Sequence, residues 1–259
     1  MDFLSTLLIS ITEGITEFLP ISSTGHMIIV SNFLGLKQTE ILKSFETSIQ
    51  LGAILSIIFL YKEKINFSKI SLWWKIFLSS LPILTLGYFF ADFIKSLFSI
   101  KIVAVMFIIG GILFLFLEKI YQKNKKLEIN NLEKISIKQS IIIGFFQILS
   151  LIPGTSRAGA TIFGSMFLGI NRKLSAEFSF LLALPVMTAV FLYESIGIFK
   201  NFENFNFQTI YLFIFGFIIS FITAYFTVKL FLKFLEKFTF FGFGIYRILF
   251  GTILLLFFV

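Results

Sequence analysis

Four stretches of this chain, residues 100–117, 178–193, 207–228 and 248–259, run without an ionised side chain apart from Lys101. A bilayer core takes about 20 apolar helical residues, and somewhat fewer suffice. A Phe-rich soluble core would instead show polar faces recurring at helical spacing, and these are missing. Only 14% of the residues are charged, 57% are hydrophobic and 39 are Phe. Soluble domains carry roughly 25% charged residues. The sequence therefore predicts an all-α integral membrane protein. A membrane barrel would show alternating segments of about ten residues, and the pattern here is helical.

The net charge of +8 raises the question of a nucleic-acid partner. The lysines, however, cluster in loops between apolar runs, as the positive-inside rule describes, so the expected partner is the bilayer and not nucleic acid. With no Cys, neither a disulfide nor a thiolate metal site can form. The opening MDFLSTLLIS lacks a basic n-region, so no cleaved signal peptide is expected.

Six spans are expected, at about 46–61, 75–92, 100–117, 177–194, 208–229 and 242–259. Two further apolar stretches, 3–30 and 139–170, are broken near their middles by EFLPISSTGH and LIPGTSRAG. Each flank is about ten residues, rising about 15 Å, roughly half the hydrocarbon core. Each stretch therefore reads as a hairpin that dips to mid-membrane and returns. Irregular backbone at that depth must be buried in protein or line a wet cavity.

The halves resemble one another. Pro20 and Pro153 mark the two knots, FLY at 59–61 recurs at 191–193, and IGGILFLF at 109–116 is echoed by FGTILLLF at 250–257. A single polytopic domain is expected, with one repeat at about 1–117, a linker at 118–138 and a second repeat at about 139–259. One re-entrant hairpin plus three spans per half is an odd number of crossings, so the repeats are inverted, as in many transporters. Loops on the side opposite the N-terminus carry sixteen Lys and Arg, counting Arg247, which the last expected span also takes in, against five on the N-terminal side. That bias places both termini outside the cytoplasm.

In the first knot, Glu13 and Glu17 lie four residues apart and share a helix face. Burying one charge at the bilayer centre costs on the order of 3 kcal/mol. Two ionised carboxylates there need an arginine, a lysine or a divalent cation between them; otherwise one is protonated and hydrogen-bonded. Pro20 ends that helix. Ser22, Ser23 and Thr24 follow as N-cap residues of the next, where backbone N–H groups and the helix dipole attract anions. Capping accounts for one hydroxyl of the three. It does not account for His26, which with Ser and two Glu makes a nucleophile-and-base set.

In the second knot, Gln147 precedes Pro153 and PGTSRAGAT spans 153–161. Gly154 and Gly159 permit close backbone approach, and Thr155 and Ser156 offer hydroxyls. Arg157 is the one arginine placed in the expected interior. Its fork suits phosphate or carboxylate, including a salt bridge to Glu13 or Glu17. Inverted hairpins bring their tips together near the midplane, with Glu17 and Arg157 at one water-filled hollow. Helix N-termini plus Arg select an oxygen-rich anion, paired carboxylates select a divalent cation, and a metal-bound diphosphate satisfies both. Phosphoryl transfer needs mostly positioning and charge neutralisation.

EGITEFLPISSTGHMI at 13–28 and PGTSRAGAT at 153–161 closely resemble the two signature motifs of the bacterial undecaprenyl-diphosphate phosphatase family, also called bacitracin-resistance proteins. FETSIQLGAIL at 45–55 and SAEFSFLLALP at 175–185 also resemble family segments, and the likeness covers the whole chain. The resemblance implies a multi-pass enzyme of the bacterial plasma membrane, with inverted repeats, six spans and two re-entrant pairs. It implies removal of the terminal phosphate of a polyprenyl diphosphate lipid with Mg2+ or Ca2+. It assigns metal binding or attack to Glu13 and Glu17, the nucleophile to Ser23, and the base or acid to His26. Thr24, Gly154, Thr155, Ser156 and Arg157 would grip the diphosphate, with Ser22 and Gln50 lining the pocket. Ala158 departs from the family, which often has serine there. The hairpin bearing the glutamates enters from the N-terminal side, so the site is expected to open outward. The competing class is a transporter or flippase of polyprenyl phosphates, from which the Ser23 and His26 pair is the distinguishing feature.

Overall fold

The computed structural model describes residues 1–65, 69–123, 129–200 and 206–259. Among these residues are eleven α-helices and no strand. They are α1 (Phe3–Thr16), α2 (Ser23–Phe33), α3 (Glu40–Leu60), α4 (Ile70–Phe89), α5 (Ala91–Ser96), α6 (Ile100–Lys123), α7 (Ile137–Ile148), α8 (Arg157–Phe167), α9 (Arg172–Lys200), α10 (Phe207–Leu235) and α11 (Phe241–Phe258). Short 3-10 turns occupy Leu132–Lys134 and Leu149–Leu151.

Six of the helices, α3, α4, α6, α9, α10 and α11, are long and apolar enough to cross a membrane, matching the expected number. Three, α3, α4 and α9, begin five or six residues earlier than the apolar pattern suggests, and at α3 and α9 a polar residue caps the first turn. Thr39 Oγ1 accepts the Leu42 N–H ahead of α3, and Asn171 Oδ1 accepts the Leu174 N–H ahead of α9. Across the stretch expected as a linker, 118–138, α6 runs on to Lys123, residues 124–128 lie outside the described residues, and a capping box of Ser136 and Gln139 starts α7.

The outer helices show soluble amphipathicity turned inside out. On α10, Phe207, Tyr211, Ile214, Ile218, Phe226 and Leu230 fall on one exposed stripe. The opposite stripe is buried and includes the small residues Gly216, Ser220 and Ala224. Lipid tails are as apolar as leucine, so close backbone approach, not hydrophobic drive, must hold such helices together. In keeping with this, a Cβ on Gly14 of α1 would lie 2.8 Å from the Ser220 carbonyl oxygen of α10. On Gly144 of α7 it would lie 2.4 Å from the Ser79 carbonyl oxygen of α4. The most apolar window of α9 is 72% buried, against 22% for those of α10 and α11, so α9 is the central helix.

Charges gather at helix ends. Arg172 at the start of α9 pairs with buried Glu118 of α6, which also accepts the Phe240 N–H ahead of α11. Nearby, the Lys173 ammonium 2.6 Å from Glu236 holds that carboxyl below its usual range. Arg247 does not belong with these basic residues. It lies inside α11 and is fully buried, so it drops out of the sixteen loop Lys and Arg counted from the sequence.

Candidate active site

Each broken stretch turns from one short helix into the next through a serine with an unusual backbone. Ser22, ahead of α2, has φ 66° and ψ 101°; Ser156, ahead of α8, has φ 73° and ψ 117°. Among the described residues these are the non-glycine residues with positive φ. Such conformations cost about 1–3 kcal/mol each and persist only where the surroundings over-determine them. At α8 the cap is conventional: Ser156 Oγ accepts the Gly159 N–H at 3.0 Å. Ser22 makes no side-chain cap.

The two serines bring the helix starts to one cavity of about 220 Å³. Glu17, Ser22, Ser23, Thr24, Gln50, Ser150, Gly154, Ser156 and Arg157 form its polar wall. Ile83, Phe98, Leu151, Val186, Met187 and Val190 form its apolar wall. A larger cleft of about 370 Å³ lies elsewhere, lined by Lys64, Lys69, Glu133, Lys173 and Glu177 among others. Its charges are already paired, Lys64 with Glu177, Lys69 with Glu133 and Lys173 with Glu236. The smaller cavity is the one that presents reactive groups.

Glu17 is the centre of that wall. Its Oε2 accepts the Ser23 hydroxyl at 2.7 Å, and its Oε1 lies 3.3 Å from Arg157 Nη2. Arg157 Nη1 donates to the Ser179 carbonyl of α9 at 2.9 Å, which aims the guanidinium. Glu17 and Arg157 are 7% and about a tenth exposed, so their attraction is weakly screened by solvent. Buried atoms here without a partner among the described residues include Glu13 Oε1, Glu46 Oε1, Thr155 Oγ1 and Arg157 Nε. Glu13 sits behind the cavity wall, against Glu17, Glu46 and Gln50.

Of the residues singled out from sequence, Glu17, Ser22, Ser23, Thr24, Gln50, Gly154, Ser156 and Arg157 line the cavity. Glu13, Thr155 and His26 do not. Ser23 and His26, read as a nucleophile with its base, are turned apart. Ser23 bonds Glu17, whereas His26 Nδ1 lies 2.7 Å from the Ser22 carbonyl and Nε2 lies 2.6 Å from the Tyr246 hydroxyl. A helix places residues three apart near one another but not on identical bearings, and here α2 turns Ser23 to the cavity and His26 to α11.

Arg157 is also not the only interior arginine, contrary to the sequence reading. Arg247 donates to the Pro20 carbonyl at 2.9 Å and the Gly154 carbonyl at 3.0 Å, one in each knot. It also reaches the Met106 and Phe107 carbonyls of α6 at 3.0 and 3.4 Å. Gly110 leaves the room: a Cβ there would lie 2.3 Å from Arg247 Nη2. The signal was present as a lone arginine inside the apolar run FGFGIYRILF at 241–250, which the loop-charge tally absorbed.

The chain matches a family model described as bacitracin resistance protein BacA over residues 6–253. It is 54% identical over 258 residues to a protein of Sulfurimonas denitrificans named undecaprenyl-diphosphatase, covering 100% of both chains. Proteins of the same name from Sulfurovum sp. and Methanococcus aeolicus are 52% and 50% identical, over 99% and 100% of each chain.

Proposed function

The chain belongs to the bacitracin resistance protein BacA family, and on that premise we propose how its cavity works. It is a membrane enzyme that hydrolyses the terminal phosphate of undecaprenyl diphosphate, giving undecaprenyl phosphate and inorganic phosphate. The observation that carries the mechanism is the carboxylate of Glu17, bonded to the Ser23 hydroxyl on one oxygen and to Arg157 on the other.

The diphosphate enters with its terminal phosphorus facing Ser23 and its prenyl chain leaving along Ile83, Val186 and Val190. It competes with Glu17 for Arg157, and drawing the guanidinium onto phosphate frees Glu17 to take the Ser23 proton. Ser23 Oγ then bonds phosphorus as the bridging P–O bond breaks, and undecaprenyl phosphate departs with the proton that Glu17 hands to its leaving oxygen. Water attacks the phosphoserine, giving its proton to the freed Glu17 carboxylate, which returns it to Ser23 Oγ as inorganic phosphate leaves. Thr24, Ser156 and the N–H groups opening α2 and α8 bind the equatorial oxygens, where charge is spread in the transition state. A carrier of polyprenyl phosphates has no use for an activated hydroxyl.

The oxygen donors suit a hard divalent cation. Glu13 Oε1 is buried without a partner beside Glu17. No group of three or more His, Asp or Glu among the described residues is placed to hold a metal alone, but Mg2+ commonly takes one or two carboxylates and completes its shell with phosphate oxygens and water. Glu13 and Glu17 would hold Mg2+ or Ca2+, which when bound neutralises charge on the diphosphate.

The two halves form inverted repeats with α1–α2 and α7–α8 as re-entrant pairs. The Gly14–Ser220 and Gly144–Ser79 interlocks support this, since exchanging the halves turns one into the other. In that register Gln147, three residues after Gly144, corresponds to Glu17, three after Gly14. The cavity opens outward, a reading supported by Phe98 and Val190 in its wall, both toward the face bearing few basic residues.

The test is phosphate release from farnesyl diphosphate by the purified protein. Wild type is expected to turn over and Glu17→Gln to lose activity by 10²-fold or more, on the order expected for a general base. No release by wild type, or full activity in Glu17→Gln, overturns the mechanism.

A further inference from the structure

His26 is the chain's single histidine, and neither of its nitrogens faces the cavity. The Ser22 carbonyl 2.7 Å from Nδ1 can only accept, so Nδ1 carries a proton. In the neutral ring, Nε2 then accepts from the Tyr246 hydroxyl at 2.6 Å. The ring stacks on Phe250 with centroids 4.4 Å apart and touches Phe107 from α6. Arg247 is the charged group that faces it, from α11. The matching serine of the second knot needs no such partner, because the Ser156 carbonyl accepts the Ala160 backbone N–H at 2.9 Å.

We propose that His26, held by Tyr246, is a positioning residue that fixes the Ser22 carbonyl and so aims Ser23, and that it is not the base for Ser23. This inference rests on the phosphatase reading above. The Ser22–Ser23 peptide is planar, so a carbonyl anchored on His26 turns the Ser23 N–H the opposite way. The same anchor holds Ser22 in its positive-φ conformation, from which Ser23 Oγ reaches Glu17 at 2.7 Å. A ring N–H supplies this bond one helical turn after Ser22, and a short amide can imitate it.

Asparagine places an amide N–H near the position of Nδ1, whereas glutamine places one near Nε2. His26→Gln is expected to lower kcat on the order of 10- to 100-fold, the effect of a lost buried hydrogen bond, with KM for farnesyl diphosphate little changed. His26→Asn is expected to recover most of that loss and to keep the shape of the wild-type pH profile. An asparagine variant as inactive as the glutamine one, or missing one limb of the profile, overturns the proposal and makes His26 the base. Wild type labelled with 15N-histidine gives a second reading free of folding defects. One tautomer protonated at Nδ1 across the pH range of activity, its Nε2 signal moved by Tyr246→Phe, supports the proposal. A ring protonated at Nε2 alone, or one whose charge follows the activity profile, overturns it. If wild type releases no phosphate, the enzyme reading fails, and the tautomer still decides whether His26 anchors Ser22.

Discussion

Replacing Arg247 with methionine separates the positioning of the two knots from the stability of the fold. Three of its hydrogen bonds, to the Pro20, Gly154 and Met106 carbonyls, are 2.9–3.0 Å long. Bonds from a charged donor contribute about 1.5–3 kcal/mol each, so the set is worth about 5–9 kcal/mol. Against this stands the cost of burying a guanidinium that, among the described residues, no carboxylate pairs. That cost is several kcal/mol even after relaxation. The difference is about 0–4 kcal/mol, so Arg247→Met is expected to fold in detergent with a modest shift in its thermal transition, followed by the emission of Trp73 and Trp74. Catalysis has no such compensation. Without the clamp, Pro20 and Gly154 are free to part, carrying Glu17 and Ser23 away from Ser156 and Arg157. A misplacement of about 1 Å costs on the order of 100-fold in rate. Phosphate release from farnesyl diphosphate should therefore fall about 100-fold while the protein stays folded. Lysine, reaching one carbonyl in place of four, should not restore it. Wild-type kcat in Arg247→Met would refute the clamp, and complete unfolding would refute the energy balance.

Ser23→Ala is expected to abolish turnover and to leave substrate binding intact, with labelled phosphate trapped on wild type and not on the variant; full turnover by Ser23→Ala would show that water attacks directly. Chelation by EDTA should remove activity and added Mg2+ restore it, with the Mg2+ concentration needed rising in Glu13→Gln. Gly144→Ala, whose Cβ would lie 2.4 Å from the Ser79 carbonyl oxygen, should destabilise the α4–α7 pair by about 1–3 kcal/mol, seen as a lower thermal midpoint. Gly242→Ala, where a Cβ meets nothing within 4 Å, serves as the control.

Much of the molecule was legible in one dimension. Apolar runs, their length and the polar knots that interrupt them are local properties, and they sufficed for six spans and two broken stretches. Four residues of the cavity wall, Glu17, Ser23, Ser156 and Arg157, could likewise be named from the two motifs. What only the tertiary structure decided is who touches whom. Glu17 meets an arginine 140 residues away and Pro20 meets one 227 residues away. His26, close to Ser23 in sequence, faces α11 instead because α2 carries the two side chains on different bearings. Arg247 looked like a loop cation because charge is counted by position along the chain, whereas its burial depends on carbonyls that three other segments bring to it. Hydrophobic pattern is written residue by residue, but the partners of a buried polar group are set by packing between helices, which no single segment encodes.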